Sequence, residues 1–220
     1  MNTTKKTPTR SPRQPGRPVG STSGSGADTR QRIIDAAIDV FAREGYAKAS
    51  NKAIAQRAGV TATLLYHYFD SKAALYRSAL REVNAELVAS YRAACMQRPE
   101  ASSMAQLCFG LEKVIALTRR RPGLMGFASA SAAEIQRHAE IDWLSPEDAS
   151  AFPEFFRELL LRARRRGELA RSVDIEAATK MLIACISGLA SFHDSLSGPD
   201  EFARVLRAFE RMLSGDLMHG

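Results

Sequence analysis

The sequence predicts an all-α protein. An N-terminal three-helix, helix-turn-helix domain is joined to a larger helical domain, about nine helices in total. Three observations predict this. Apolar residues recur at helical spacing from about residue 28 onward, as in Ile34, Ala37, Ile38 and Phe41. Alternation of apolar and polar residues never persists long enough to make a strand. Gly, Pro and small polar residues punctuate the pattern where helices should start and stop.

The elements follow in order. Asp28 or Thr29 can cap the first helix, and Gly45 should end it. A short second helix starts after Ser50, carries Ile54, Ala55 and Ala58, and stops at Gly59. A third is capped by Thr61 and runs to about Phe69. A fourth is capped by Asp70 or Ser71 and runs past Tyr91 towards Pro99. Residues 102–121 read as a helix stopped by Pro122, and residues 123–138 as another. A loop spans 139–146. Residues 146–166 form a long helix ended by Gly167, with Pro153 implying a kink or a late start. Residues 174–194 and 200–213 are the last two helices, joined by a turn at Ser197-Gly198-Pro199.

Composition bounds the class. The chain has 220 residues, 45% of them apolar and 25% charged, with a net charge of +7. These are ordinary globular values, and a chain this size can bury about 70% of its unfolded surface without staples. No apolar run reaches the roughly 18 residues of a membrane span, and the best stretch, residues 181–190, is broken by Ser187 and Gly188. The basic N-terminus has no apolar core behind it, so no signal peptide is expected. Cys95, Cys108 and Cys185 are odd in number and far apart, which suits a reducing cytoplasm and no disulfide framework.

The charge is unevenly placed. Residues 1–30 hold six Lys/Arg and one acid, and residues 31–80 hold seven basic and four acidic residues. Residues 81–220 hold 18 basic and 19 acidic, so the positive excess lies wholly in the first 80. Such a region attracts polyanions through counterion release. Residues 1–27 are rich in Pro, Gly, Ser and Thr and read as a disordered basic arm. Within it, Pro15-Gly16-Arg17-Pro18 resembles the core of an AT-hook, which lays Arg17 in an A·T minor groove. A solubilising tail is the alternative reading.

The pair of helices around Ala58-Gly59-Val60 has helix-turn-helix spacing. Gly59 can take the left-handed conformation the turn needs. Leu65, Tyr68 and Phe69 then face inward, while Thr61, Ala62, Thr63, Tyr66 and His67 face outward. A helix presented this way fits the major groove of DNA.

The wider run is more specific. Ile33-Ile34-Asp35-Ala36-Ala37, Phe41, Gly45-Tyr46, Ile54-Ala55, Ala58-Gly59-Val60, Leu65-Tyr66-His67-Tyr68-Phe69, Ser71-Lys72 and Leu75 together resemble the DNA-binding domain of the TetR/AcrR family of bacterial transcriptional regulators. The resemblance covers about residues 29–80. It implies a ligand-responsive regulator that binds double-stranded DNA as a homodimer, most simply a repressor released from a palindromic operator. Activation, dual action, or a DNA-architectural role without a ligand are the alternatives. It implies that Tyr66 and Lys72 meet DNA phosphates, that Ser50 touches the backbone, and that Thr61, Ala62 and Thr63 sit over bases. His67 is either a phosphate or base contact, or passive surface. Lys52 and Arg57 read as solvated charges. Where many members carry Lys, Gly and Thr or Ser, this chain has Ala62, Thr63 and Leu64. Base reading should therefore lean on small contacts, DNA shape and the arm.

The resemblance further implies that residues 28–75 bind DNA and that residues 76–220 bind an effector and dimerise. The pool of ligand-lining candidates is Asn84, Tyr91, Met104, Phe109, Met125, Phe127, His138, Trp143, Phe155 and Phe156. Their apolar bias favours a small hydrophobic or aromatic effector. For dimerisation, Ala177, Ala184, Gly188 and Ser191 make a small-residue face, and Phe202, Val205 and Phe209 make a stripe on the last helix. Arg119-Arg120-Arg121 and Arg164-Arg165-Arg166 fall in last helical turns, where cations complement the dipole. Glu134, His138 and Asp142 have metal-ligand spacing but read as a solvated face. No metal, cofactor or catalytic residue is expected, because there is no phosphate loop, nucleophile elbow or paired His cluster.

Overall fold

Short-range capping sets the first helices. The computed structural model describes residues 26–118, 120–141, 146–192 and 199–214. Among these it forms nine helices and no strand: α1 (Gly26–Lys48), α2 (Asn51–Ala58), α3 (Ala62–Tyr68), α4 (Lys72–Gln97), α5 (Ser103–Thr118), α6 (Pro122–Arg137), α7 (Pro146–Arg165), α8 (Ile175–Phe192) and α9 (Pro199–Ser214). The hydroxyls of Ser50, Thr61 and Ser71 accept from the backbone N–H groups of Ala53, Leu64 and Ala74 at 3.1, 3.1 and 3.0 Å. Each satisfies an N–H that the helix itself leaves unpaired, a cap worth about 1 kcal/mol. Gly59 closes α2 at φ 67°, ψ 35°, and its N–H bonds back to Gln56. A side chain there would be strained in that left-handed conformation.

Three boundaries differ from the sequence expectation. α1 starts at Gly26, so Asp28 lies in its first turn rather than capping it. Gly45 breaks the helical path at φ 73°, ψ 169°, and residues 46–48 add a further turn. Pro122 starts α6 instead of stopping α5, which ends at Thr118. Proline lacks an N–H that the first helical position would leave unbonded anyway.

One apolar cluster runs from Ile33 in α1 to Phe209 in α9. α1 packs on α2, α4 and α6, while α4 also packs on α5 and α7. α8 lies against α6 and α7, and α9 against α5. α6 approaches α1 closely because Gly123 faces Asp39. A Cβ on Gly123 would fall 3.2 Å from the Asp39 Cα. The aromatic rings of Phe41, Tyr46, Tyr76 and Phe127 meet at this junction, with Phe41–Tyr76 at 5.0 Å and Tyr76–Phe127 at 4.9 Å.

Arg121 is not simply a helix-dipole cation. It reaches from the α5–α6 corner to Asp35 on α1 at 2.6 Å and to Glu86 on α4. The reason is tertiary: carboxylates on two other helices converge on its guanidinium. Arg166, in the other basic run, pairs with Glu168 at 2.9 Å. No helix among the described residues is long and apolar enough to cross a membrane.

Candidate nucleic-acid interface and internal cavity

α3 is held by one side and offers the other. Leu65 is fully buried and Phe69 nearly so, locking the helix onto α1 and α2. Arg30 lies over the Phe69 ring at 5.3 Å and helps pin this corner. Thr61, Ala62, Thr63, Tyr66 and His67 are all exposed, as their spacing predicts. Leu64 is also exposed, at 37%. Tyr68 is half-buried, with its hydroxyl next to Gly26 at the start of α1. Lys52 is exposed, whereas Arg57 is bound to Asp39, its Nε donating at 3.0 Å. Arg17 lies outside the described residues.

Lys72 is placed differently from the expectation. Its ammonium donates to the carbonyl oxygens of Tyr46, Ala47 and Ala49 at 2.8, 3.3 and 3.2 Å. It also lies 4.4 Å from the centroid of the Tyr46 ring. An ammonium has three protons, and these three carbonyls take all of them. Lys72 thus ties α4 to the end of α1, and a phosphate would have to compete for it.

The same turn is held from a second side, by a residue whose spacing reads as a solvated face. Glu134 on α6 accepts from the Tyr46 N–H at 3.0 Å. Its carboxylate also lies 3.4 Å from His138 Nε2, and the His138 ring is 5.1 Å from that of Tyr46. Burial, with the Glu140 charge, raises the Tyr46 phenol above its ordinary value. So the N–H and C=O of Tyr46 are gripped from two different helices, α6 and α4. No local signal in the sequence could pair residues 88 positions apart.

Those two helices also wall a cavity of about 240 Å³. Leu80, Asn84, Leu87 and Tyr91 come from α4, and Met125, Ala128, Ser129, Ser131, Ala132 and Ile135 from α6. α5 adds Leu111 and Val114, α7 Phe152, and α8 Ile183, Ile186 and Ser187. Of the candidate pool, Asn84, Tyr91 and Met125 are in the wall. The others are not. Phe127 belongs to the α1–α6 aromatic junction, and Phe155 and Phe156 pack behind Tyr91 at 5.5 and 5.6 Å. Phe109 lies under the Arg98 guanidinium at 3.8 Å, Met104 packs against the core, and His138 sits with Glu134. Trp143 lies outside the described residues. Helical periodicity marks which residues are apolar, but not which face a void. No group of three or more His, Cys, Asp or Glu is placed to hold a metal among the described residues. Asp142 of the spaced triplet lies outside them.

The proposed dimer surface divides in the same way. Ala177, Ala184 and Gly188 are exposed on α8, and nothing lies within 4 Å of a Cβ built on Gly188. Met181 beside them is 57% exposed. Phe202 and Phe209 are buried in the protomer's own core, at 5% and 7% exposure, and Val205 is half-buried. α5 covers their stripe, so these two phenylalanines are not free for a partner. The Ser191 side chain lies outside the described residues.

A short helix, buried along one edge and exposed along the other after a glycine turn, is what enters a major groove. Fold and surface thus define a helix-turn-helix DNA-binding protein. Residues 33–79 match the sequence model described as bacterial regulatory proteins, tetR family. Residues 33–79 thus carry a DNA-binding domain of that family, and the chain is a DNA-binding transcriptional regulator. It is 25% identical over 182 residues to the HTH-type transcriptional regulator UidR of Escherichia coli (strain K12), covering 82% of this chain and 90% of that one. Over 59 residues it is 41% identical to the HTH-type transcriptional regulator SrpR of Pseudomonas putida, 27% of this chain and 28% of that one. The fatty acid degradation regulator FadR from Bacillus halodurans superposes with a TM-score of 0.69 at 23% identity, over 87% of this chain and 97% of that one. The FadR from Bacillus subtilis, solved in complex with stearoyl-CoA, gives 0.67 at 19% identity, over 84% and 98%. These two structures share the fold.

Proposed function

We propose that this regulator is a dimeric repressor, released from a palindromic operator by a small hydrophobic or aromatic effector. Residues 28–75 serve as the DNA-binding unit and residues 76–220 as the sensing and dimerising unit. The basic arm, residues 1–27, adds contacts through Arg17. Thr61, Ala62 and Thr63 lie over bases, Tyr66 and His67 reach phosphates, and Ser50 touches the backbone while capping α2. Lys72 acts chiefly by holding the turn before α2. The protein works in the cytoplasm, at the nucleoid when bound.

The observation that carries the reading is the two-sided grip on Tyr46. Lys72 and Glu134 stand on α4 and α6, and both helices also wall the cavity. A ligand that moves α6 relative to α4 pulls on the turn that positions α2 and α3. Binding then favours a conformer in which the two recognition helices no longer match successive major grooves. The Bacillus subtilis FadR, solved in complex with stearoyl-CoA, supports small-molecule binding by a regulator of this fold.

The test starts with selection of fragments from a randomised DNA pool at near-physiological salt. The expected product is a palindrome whose half-sites lie about one turn, roughly 34–36 Å, apart. Recovery of A·T-rich sequence without symmetry would count against a dimeric repressor. Operator affinity is then measured with and without a cavity ligand, and unchanged affinity would remove the effector mechanism.

A further inference from the structure

The cavity wall sorts ligands by charge before it sorts them by shape. Among its described residues there is no Asp, Glu, Lys, Arg or His. An ion entering it would lose its hydration without gaining a counter-charge, a cost that a neutral molecule of the same shape escapes. The wall is chiefly apolar, relieved by one carboxamide and a few hydroxyls.

The carboxamide belongs to Asn84, and the geometry of α4 turns it to the cavity. Leu80, Asn84, Leu87 and Tyr91 follow one another at spacings of four, three and four, so they share one face of the helix. All four line the cavity. Leu80, Leu87 and Tyr91 are buried, at 3%, 3% and 1% exposure. Asn84, between them, is half-buried. The turns on either side are closed off from bulk water, so the surface that Asn84 keeps open is the surface it turns to the cavity. Its amide atoms are bonded to no described residue, and they are not sealed in the core as the Tyr91 hydroxyl is. The serines of the wall are already engaged. Ser129 and Ser131 donate to their own helix at Gly126 and Ala128, and Ser187 has a partner too. Asn84 therefore brings two N–H donors and a carbonyl acceptor into an apolar space, where only water or a ligand can meet them.

Resting on the effector reading above, we infer that the cavity takes a compact, neutral, mainly apolar molecule with one carboxamide-like group, and that this group pairs with Asn84. Asn84 Nδ2 donates to the ligand carbonyl, and Oδ1 accepts from the ligand N–H. Asn84 is the specificity-determining residue. An apolar cavity of about 150 Å³ holds benzene. The 240 Å³ here suits a benzene ring with one such substituent. A carboxylate of the same shape fails twice: its charge finds no counter-charge, and it offers Oδ1 no donor.

Benzamide, benzoate and isopropylbenzene have nearly the same shape and test this. Binding is read by calorimetry on the full chain near neutral pH, and melting temperature is measured in the absence of probe. Benzamide should bind, and benzoate should bind about a hundredfold more weakly or not at all. Asn84→Leu removes the carboxamide with little change in size. It should weaken benzamide binding about tenfold, while isopropylbenzene binds as tightly as before or more tightly. The melting temperature should be no lower. A purely structural role for Asn84 would instead lower that temperature and weaken both neutral probes alike. That parallel loss, benzoate binding as tightly as benzamide, benzamide affinity unchanged by Asn84→Leu, or no binding of benzamide would each overturn the inference. Operator affinity is recorded in the same samples. Selective benzamide binding without operator release upholds the site and defeats only the effector mechanism. Operator release by benzoate alone upholds that mechanism and defeats the site.

Discussion

α1–α3 and α8–α9 both leave an exposed face, but they are built on different terms. In α2 and α3 the caps, the glycine turn and the inward Leu65 all lie within about twenty residues of one another. The exposed face of α3 is whatever that local geometry leaves over. In α8 and α9 the exposed face is set by which side α5, α6 and α7 happen to cover. Phe202 and Phe209 look like an interface from spacing, yet α9 turns them onto α5. Small residues of α8 remain uncovered instead. A surface framed by local signals is readable from sequence, while one framed by distant helices is not.

The sharpest break of that contrast is Leu65→Ala. Deleting a fully buried leucine costs about 2–5 kcal/mol. Because one core joins α1 to α9, urea denaturation should show a single transition at lower midpoint. Separate melting of the first three helices would mean the two regions are independent.

Gly188→Arg probes the other face. The position has open space in the protomer, so the melting of a monomer should hardly change. Sedimentation should shift from dimer to monomer, and operator affinity should fall by about a hundredfold or more, since a two-fold site needs both half-sites. An intact dimer would place the interface elsewhere.

Glu134→Gln asks whether the regions are coupled. The amide can still accept from the Tyr46 N–H but loses its charge. Charge-assisted bonds are about twice as strong as neutral ones. The change in operator affinity caused by a cavity ligand should shrink about fivefold, while ligand affinity measured without DNA stays near its original value. An undiminished response would remove Glu134 from the coupling.

The smallest effect concerns Cys108. Burial, with Glu210 and Glu112 nearby, pushes its thiol up to about 12. The thiolate is the reactive form, so a raised value means little reaction until the pH approaches it. At pH 8, alkylation followed by peptide mass spectrometry should find Cys108 about a thousandfold slower than in urea-unfolded protein. Comparable rates would show that α5 opens readily on that side.

Much of the exposed helix-turn-helix face is legible in the order of residues. Ser50, Thr61, Gly59 and the outward set of α3 stand where their spacing puts them. Lys72 does not follow. Its charge and position suit a phosphate, but the carbonyls at the end of α1 lie within reach, and only the fold brings them there. The cavity is less legible still. Asn84, Tyr91 and Met125 line it, whereas Phe127, Phe155 and Phe156 fill core of the same hydrophobic character.

The sequence by itself determined the helices and the helix-turn-helix. Caps, glycine turns and helical periodicity act over a few residues and leave marks in the order of amino acids. Tertiary structure alone decided that Lys72 and Glu134 grip one residue's backbone, that Arg121 joins α1 to α4, and which apolar side chains face a void. These depend on how helices dozens of residues apart settle against one another. Burial depends on those neighbours, whereas apolar character is a property of the residue.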